Sequence, residues 1–425
     1  MLSNEIKRVL TEAKKKKRNY GYLKLFVAAF AYILPNTFYF YLRKVIRSIS
    51  SVVPSRQNCW VMGEGYFGRE RVGENGKYLF LQIAEKNDVE AIWLSNSSDE
   101  VSCLRDNGYT AYNAYSFKGF VSQLRADTLF CTNGTEFNWC LTGGAEIVQL
   151  WHGVPLKKVG WDHLDETYSR SRIREYRERI YNFDSIVTTS KNPPADIVRR
   201  MFRMSEEDTL ITGYPRTDYL LSNEFNTNFG IDSKTLSKIK DIETESTVFM
   251  YAPTFRRRFL KENRSFVADT GLDFEALNQL LDDCDGYLVL KLHHKTHIPP
   301  EVERQERILI ADPLSDPYPL LKTADALVTD YSSIFIDFLV LDKPVLFFPY
   351  DLEQYESEEG LYYKYESITP GSISATPMEL YESIRQVARG NDPFEVERRT
   401  IRDLFYDRID DQSAERIYRA IKKNY

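Results

Sequence analysis

The chain has 425 residues, of which 43% are hydrophobic and 28% charged, a balance typical of a globular protein with room for two domains. The net charge of −6 hides an asymmetry, because residues 1–50 carry 11 Lys/Arg and 2 Asp/Glu whereas residues 51–425 carry 45 and 60. A basic charge confined to one segment argues against general nucleic-acid binding, and five scattered cysteines argue against a disulfide framework and for a reducing compartment.

Residues 1–56 are predicted to form a basic, amphipathic segment that associates with a membrane. Five basic residues at 14–18 precede an apolar, aromatic stretch at 25–42, and three more follow it. Pro35 divides the stretch, and no small-residue cleavage site follows a short apolar core, so we expect a helical hairpin or an in-plane anchor on an anionic surface rather than a signal peptide. The alternative is that the aromatic side chains pack on the protein's own surface. Whether the segment spans the membrane stays open.

Short apolar runs then alternate with helical patterns as far as residue 400. The predicted strands lie at 60–62, 91–94, 128–131, 147–151, 186–188, 209–211, 248–252, 287–292, 308–310, 326–328 and 345–348. The polar stretch 222–245 connects two halves, and a charged periodic pattern at 395–423 predicts a C-terminal helix, with 401–425 as a terminal segment. The alternation predicts an α/β fold built from parallel βαβ units in two Rossmann-like domains.

A histidine follows the predicted strand at 147–151. His152 precedes Gly153, whose small size allows a substrate to approach the backbone, and an imidazole at such a strand end is suited to general-base catalysis. The alternative is a structural histidine bonded to a loop carbonyl. Lys157 and Lys158 follow, either as acceptor or phosphate contacts or as solvated side chains.

Two strand ends in the second half carry groups suited to a phosphorylated ligand. Thr254 and Arg256 follow the strand at 248–252, and arginine binds phosphate oxygens in a bidentate manner. A basic surface turn is the alternative there. Lys291 and His293 lie at the end of the strand at 287–292 and are predicted donor contacts.

The strand at 326–328 leads into a serine pair that opens a helical pattern. Ser332 or Ser333 would lie at the helix N-cap, where free backbone N–H groups favour a diphosphate, although the same residues would also serve as simple caps. Asp337, one turn later, is expected to contact a ribose or base, or to be a solvated helix residue. His294 and His297 lack a carboxylate partner at metal-ligand spacing, so no metal is predicted.

Taken in this order, the motifs resemble the CDP-glycerol glycerophosphotransferase family of teichoic-acid primases and polymerases. The resemblance rests on the segments 74–79, 151–158, 212–218, 251–256, 290–293, 330–337 and 344–360. It implies a GT-B-like fold with two Rossmann-like domains facing a central cleft, an acceptor domain at 57–240 and a CDP-donor domain at 241–400. Val154 stands where threonine is common in the family and Lys291 where arginine is common. Related enzymes use CDP-ribitol or build capsular polymers, so the resemblance implies the reaction type more firmly than the donor.

The family resemblance also implies an activity. A transferase of substituted phosphate groups would move glycerol phosphate from CDP-glycerol to a hydroxyl of a polyprenyl-diphosphate-linked or polymer acceptor, releasing CMP, in teichoic-acid-like or capsular polymer synthesis. His152 matches the family's proposed base and His293 a second essential histidine, which would hold the diphosphate with Arg256 and the amides of Ser332 and Ser333. The secondary donor contacts implied are Thr254 and Asp337. A peripheral protein on the cytoplasmic face of the membrane, without a metal or other cofactor, is expected.

Three alternatives remain beside this interpretation. The first is a ribitolphosphotransferase that uses CDP-ribitol, the second a GT-B glycosyltransferase that uses a nucleotide sugar, and the third a membrane-associated scaffold without chemistry. The released nucleotide separates the classes, because an alditol-phosphate transferase releases CMP and a UDP-sugar transferase releases UDP. The presence of both His152 and His293 argues against the scaffold. The sequence does not determine the acceptor, the linkage, the number of units added or the oligomeric state.

Overall fold

The computed structural model describes residues 36–63, 74–134, 136–164, 173, 183–222, 227–242, 245–256, 266–293, 296, 298 and 300–422. The strands within them are β1 Cys59–Gly63, β2 Glu90–Ser95, β3 Ala111–Asn113, β4 Thr128–Cys131, β5 Glu146–Gln149, β6 Ser185–Thr188, β7 Thr209–Ile211, β8 Thr247–Tyr251, β9 Gly286–Leu290, β10 Ile308–Ile310, β11 Ala326–Thr329, β12 Val345–Phe347 and β13 Ser372–Ile373.

The α-helices of the first part of the described chain are α1 Asn36–Ser50, α2 Asn75–Ile83, α3 Ser98–Asp106, α4 Phe117–Leu124, α5 Trp161–Leu164, α6 Asp196–Phe202, α7 Pro215–Leu221 and α8 Ser233–Lys240. Those of the remainder are α9 Phe266–Thr270, α10 Phe274–Asp283, α11 Pro300–Glu303, α12 Tyr318–Thr323, α13 Ile334–Phe338, α14 Leu352–Glu359, α15 Pro377–Ala388, α16 Glu395–Phe405 and α17 Ser413–Lys422.

The chain divides into two compact units. The described part of the first comprises residues 36–63, 80–134, 136–149 and 183–184. Its strands pair in the order β3-β2-β1-β4-β5, all parallel, with Val61 of β1 opposite both Ile92 and Leu129. All five residues of β1 are buried, which is typical of a parallel sheet covered on both faces.

The second unit comprises residues 74–79, 150–164 and 173, and the described residues from 185 onwards. It contains the parallel pair β6-β7 and a six-stranded parallel sheet in the order β10-β9-β8-β11-β12-β13. Numbered from β8, this is the order 3-2-1-4-5-6 of a dinucleotide-binding sheet. The strand order reverses between β8 and β11, and ligands of such sheets bind beyond the carboxyl ends of the strands at that point.

The predicted α/β fold with parallel sheets in Rossmann-like domains is confirmed, and each predicted strand is present within a residue or two of its expected bounds. β3 and β13 were not predicted, and the polar connection 222–245 contains helix α8. The C-terminal helical pattern is interrupted at 406–412, and α17 restarts where Asp218 accepts the backbone N–H groups of Ser413 at 3.0 Å and Ala414 at 2.8 Å. The predicted domain limits stay predictions.

Most of the predicted N-terminal anchor, residues 1–35, lies outside the described residues. Helix α1 follows these residues and is part of the first unit, in which the Ser50 hydroxyl accepts the Gly143 N–H at 2.9 Å. None of the helices in the described ranges combines the length and the apolar character that crossing a bilayer requires.

Candidate active site

A cavity of about 420 Å³ lies within the second unit, beyond the carboxyl ends of β8, β9 and β11. Eight of the predicted site residues line it: His152, Lys157, Thr254, Lys291, His293, Ser332, Ser333 and Asp337. Arg256 and Lys158 are not part of this lining. The strand order therefore gathers at one cavity residues that lie up to 185 positions apart in the chain.

The loop that carries His152 has an unusual backbone. Trp151 adopts a φ of +55° and Gly153 a φ of +135°, the latter a conformation that residues with a Cβ rarely adopt. Asn75, the first residue of α2, donates from its side-chain amide to the carbonyls of Leu150 at 3.1 Å and Trp151 at 2.8 Å. The His152 imidazole packs on the Trp151 indole at 3.9 Å between ring centroids and is exposed at the cavity. A fixed backbone thus presents an accessible imidazole, as a general base requires.

His293 reaches the cavity from the end of β9. Its half-buried imidazole stacks on the Phe255 ring at 4.4 Å between centroids, with 25° between the planes. Phe255 itself follows β8 and lines the same cavity. The stacking limits the orientations open to the imidazole without covering its cavity side.

The ends of β8 and β11 are joined by a buried aspartate at the point where the strand order reverses. Asp330 accepts the backbone N–H groups of Thr254 at 2.8 Å and Tyr331 at 2.5 Å through the same carboxylate oxygen. The Thr254 hydroxyl is buried in the cavity wall and has no hydrogen-bond partner among the described residues. A buried polar atom left in this way is a candidate ligand contact, because burial without a partner costs free energy.

The serine pair lies where the sequence places it, directly before α13. The Ser332 hydroxyl accepts the Ile334 N–H at 3.4 Å, whereas Ser333 occupies the N-cap position without a side-chain capping bond. The helical pattern predicted to open at the serine pair is α13 followed by a 3₁₀ turn at Leu339–Leu341. Both hydroxyls line the cavity.

Arg256 takes a different place from the predicted phosphate ligand. Only 4% of the residue is exposed, and its guanidinium donates to Asp351 at 2.9 and 3.0 Å, to Asp330 at 2.8 Å and to the Thr254 carbonyl at 2.7 Å. Burial opposes the charge on Arg256, but the two carboxylates outweigh it and raise the pKa. In this geometry Arg256 fixes Asp330, and through it the end of β8, rather than facing the ligand.

Lys291 and Asp337 line the cavity but bond to protein groups rather than pointing freely towards a ligand. The Lys291 ammonium donates to the carbonyls of Asp312 and Ser315 and to the Ser315 hydroxyl, and thereby holds the loop at 312–315. Asp337 is fully buried and accepts from the Tyr318 and Tyr406 hydroxyls at 2.8 and 3.1 Å. Both oxygens of Asp337 thus have partners within the protein, and its predicted ribose or base contact stays a prediction.

The two lysines after His152 separate. Lys157 is half-buried at the cavity with its ammonium 5.6 Å from the centre of the Tyr355 ring, whereas Lys158 is exposed outside it. The segment is held by the chain at 360–362, through a bridge between Lys157 and Leu361 and a bond from the Lys158 N–H to the Gly360 carbonyl at 3.1 Å.

Sequence analysis did not single out Arg216, at the start of α7, as a site residue. Its guanidinium lines the cavity although only 3% of the residue is exposed, and it bonds to Asp337 at 2.6 Å and lies 3.5 Å from Glu74. Burial opposes the charge on Arg216, but Asp337 and Glu74 outweigh it and raise the pKa, so the side chain is a permanent cation. Burial raises the pKa of Asp337, and Arg216 opposes that shift.

His294 and His297 lie outside the described residues. Within the part of the chain that the structure describes, no group of three or more His, Cys, Asp or Glu side chains is placed to hold a metal ion.

Comparisons with known proteins match this architecture. A sequence model of the family described as CDP-Glycerol:Poly(glycerophosphate) glycerophosphotransferase matches residues 64–423. A teichoic acid glycerol-phosphate transferase of Staphylococcus aureus is 30% identical over 372 residues, which cover 85% of this chain and 92% of that protein. A teichoic acid poly(glycerol phosphate) polymerase of Bacillus subtilis is 25% identical over 390 residues, and the chain spans about half the length of that polymerase, 50%.

A solved structure supports the fold. The wall teichoic acid polymerase TagF is 22% identical and superposes with a TM-score of 0.67 over 92% of this chain and 95% of that one. This likeness confirms the predicted GT-B-like class. The family match extends over more than four-fifths of the chain and includes every site residue described above. The chain therefore belongs to the CDP-glycerol:poly(glycerophosphate) glycerophosphotransferase family.

Proposed function

We propose that this protein transfers glycerol phosphate from CDP-glycerol to a hydroxyl of a membrane-linked or polymer acceptor and releases CMP, in the synthesis of a teichoic-acid-like or capsular polymer. One observation carries the proposal: His152 and His293, from distant parts of the chain, line one cavity at the strand-order reversal together with Ser332 and Ser333. Family membership supports the reaction class.

The proposed donor site is the switch point between β8 and β11. The Thr254, Ser332 and Ser333 hydroxyls offer hydrogen bonds to the diphosphate, and His293 adds a further donor at the same wall. Such preorganised groups stabilise negative charge as it grows on the CMP leaving group. Arg256 contributes indirectly, because it holds Asp330, which in turn fixes the Thr254 backbone.

In the proposed reaction, the acceptor hydroxyl oxygen attacks the phosphorus that bears glycerol. A new P–O bond forms to the acceptor, the P–O bond to CMP breaks, and His152 takes the hydroxyl proton. No net oxidation occurs, and the protein's contribution is orientation, proton removal and charge stabilisation. Lys157, at the cavity beyond His152, is the proposed contact for an acceptor phosphate.

The test is nucleotide release from CDP-glycerol, CDP-ribitol and UDP-sugars, with a bacterial membrane lipid extract as acceptor. We expect CMP from CDP-glycerol, and a loss in kcat of about 10²–10⁴-fold in His152→Ala, the range for a general base. Met378→Ala, an exposed residue outside the cavity lining, serves as the control. If CMP were released from CDP-ribitol alone, the donor would be CDP-ribitol rather than CDP-glycerol. Release of UDP would refute the proposed alditol-phosphate transfer.

We also propose that the protein acts as a peripheral protein on the cytoplasmic face of the membrane. Helix α1 carries Arg43, Lys44 and Arg47 beside Val45 and Ile49, which are 54% and 59% exposed, and it continues the basic N-terminal sequence. Each basic residue near an anionic surface contributes about 1 kcal/mol to binding. Binding of the full chain to vesicles with and without anionic lipid measures this, and a triple reversal to Glu at the three basic positions should weaken it. Equal binding by the reversed variant would refute the proposal.

A further inference from the structure

Three buried residues connect the two walls of the cavity. Arg216 bonds to Asp337 on α13 at 2.6 Å, and the Asn75 side-chain oxygen accepts the Arg216 backbone N–H at 3.3 Å. The exposed fractions of the three residues are 3%, 0% and 0%. We call Asn75, Arg216 and Asp337 the buried bracket.

One end of the buried bracket holds the loop of the proposed base. Asn75 donates to the Leu150 and Trp151 carbonyls, the last two before His152. Both carbonyls therefore keep one direction, although Trp151 has the unfavourable φ of +55°. The Arg216 N–H bonds the other end of the Asn75 amide, so both the nitrogen and the oxygen of that side chain have partners.

The Arg216 guanidinium also touches the loop directly. A Cβ built on Gly153 would lie 2.7 Å from the Arg216 Nη2 atom and 2.8 Å from the Ser333 hydroxyl. The backbone after His152 is therefore packed between the buried cation and the serine wall. Asp337, which holds the same Nη2 atom, is one turn beyond Ser333 on α13.

We propose that Arg216 is a positioning residue that sets the distance between the His152 loop and the Ser333 wall, and so aligns the proposed base with the donor phosphate. This inference rests on the proposed function. The cation is not a catalytic residue in this account, because it acts through the loop and through Asp337. Arg216 and Asp337 are both buried, so the distance they set between the His152 loop and the Ser333 wall does not depend on side-chain motion at the surface.

A second buried arginine provides a matched control. Arg398 is 2% exposed, and it does not line the cavity. Its guanidinium donates to Asp342 at 3.1 Å and forms an ion pair with Asp392 at 2.8 Å. Replacing either arginine by lysine keeps the charge and removes the fork that reaches two groups at once. Arg216→Lys and Arg398→Lys should both lower the stability of the fold, but only Arg216→Lys should disturb the alignment of His152 with the donor phosphate.

The first measurement is kcat and the CDP-glycerol KM for the full-length variants. In Arg216→Lys we expect kcat to fall about 10²-fold, since a shift of about 1 Å at the reacting groups has that effect. Donor KM should stay within about threefold if the donor wall is intact. Arg398→Lys should retain wild-type kcat per folded molecule. An unchanged kcat in Arg216→Lys, or a change confined to KM, would overturn the positioning role.

A double variant separates alignment from stability. Arg216→Met alone leaves the buried Asp337 charge unpaired, which destabilises the fold, whereas Arg216→Met combined with Asp337→Asn removes both charges. We expect the double variant to regain much of the thermal stability and to stay as slow as Arg216→Lys. Recovery of activity together with stability would refute positioning and leave only a structural role.

A final readout does not depend on the reaction. Hydrogen exchange of the peptide 150–158 should be faster in Arg216→Lys than in the wild-type protein, and unchanged in Arg398→Lys. If wild-type protein released no CMP but this exchange difference were present, the proposed function would fail while the positioning role of Arg216 stood. If exchange at 150–158 were equal in all three proteins, the positioning role would be refuted whatever the activity.

Discussion

Gly153 offers a sharp perturbation of the proposed active site, the substitution Gly153→Ala. Its φ of +135° lies in a region used almost solely by glycine, and holding a residue with a Cβ there costs about 1–3 kcal/mol. The new methyl group would also lie 2.7 Å from Arg216 Nη2 and 2.8 Å from the Ser333 hydroxyl. Both contacts are shorter than real Cβ atoms tolerate. The Ser333 hydroxyl can rotate away, but the Arg216 Nη2 atom is held by Asp337 at 2.6 Å, so the loop must move.

The size of this movement sets the expected effect on catalysis. Restoring a contact of about 3.5 Å from 2.7 Å requires a shift approaching 1 Å, because the Arg216 Nη2 atom is itself held by Asp337. A misplacement of about 1 Å lowers kcat about 10²-fold. The overall fold should survive, because a loss of about 1–3 kcal/mol is less than the typical stability of a domain.

The assay is CMP release at saturating CDP-glycerol, paired with a thermal unfolding curve. Gly390→Ala is the matched control, because Gly390 also has a positive φ, +77°, but has no atom within 4 Å of a built Cβ. Its stability should fall about 1 kcal/mol, the cost of a residue with a Cβ in the left-handed region, with kcat unchanged. A kcat within twofold of wild type in Gly153→Ala would refute the packed-loop account.

Three further predictions concern stability, the second histidine and pH. Lys77→Met should lower the free energy of unfolding by about 3–5 kcal/mol in urea titrations, because it leaves Asp316 buried without its 2.6 Å ion pair. Adding Asp316→Asn to this variant should restore most of the lost free energy. Phe255→Ala should lower kcat about 3–10-fold through lost stacking worth about 0.5–1.5 kcal/mol on His293; an unchanged kcat would contradict that support. Burial opposes the charge on Asp232, but backbone N–H bonds outweigh burial and lower the pKa of its carboxyl group. The ionised carboxylate therefore stabilises the fold above the ordinary carboxyl pKa, and this stabilisation is lost as the pH falls through the lowered pKa. Asp232→Asn should flatten the acid side of a plot of the unfolding midpoint against pH, and an equally steep curve would contradict this.

The sequence was sufficient to locate the cavity because strand ends are a strong signal. Apolar runs identified the strands, and parallel strands bring their carboxyl ends to one edge of a sheet. Thr254, His293 and Ser332 each follow such a run, so their convergence is a consequence of topology. β3 and β13 were missed because their sequences, Ala-Tyr-Asn and Ser-Ile, contain no apolar run.

The roles of the charged residues were harder to predict, because an arginine suits a phosphate and a buried carboxylate equally well. Arg256 was assigned to phosphate on that chemistry. The structure surrounds it with Asp330 and Asp351, which lie 74 and 95 residues further along the chain. Whether a guanidinium meets a ligand or a carboxylate depends on those distant positions, and no local pattern contains them.

Arg216 nevertheless left a local signal. The sequence Thr212-Gly-Tyr-Pro215-Arg216 follows the strand β7, and Pro215 marks the first turn of a helix. The positive end of the helix dipole disfavours a cation in that turn. An arginine there needs a compensating anion from elsewhere in the fold, and here Asp337 supplies it at 2.6 Å. A cation placed against the helix dipole in the first turn after a strand is thus a sequence feature from which a buried ion pair beside the site can be inferred.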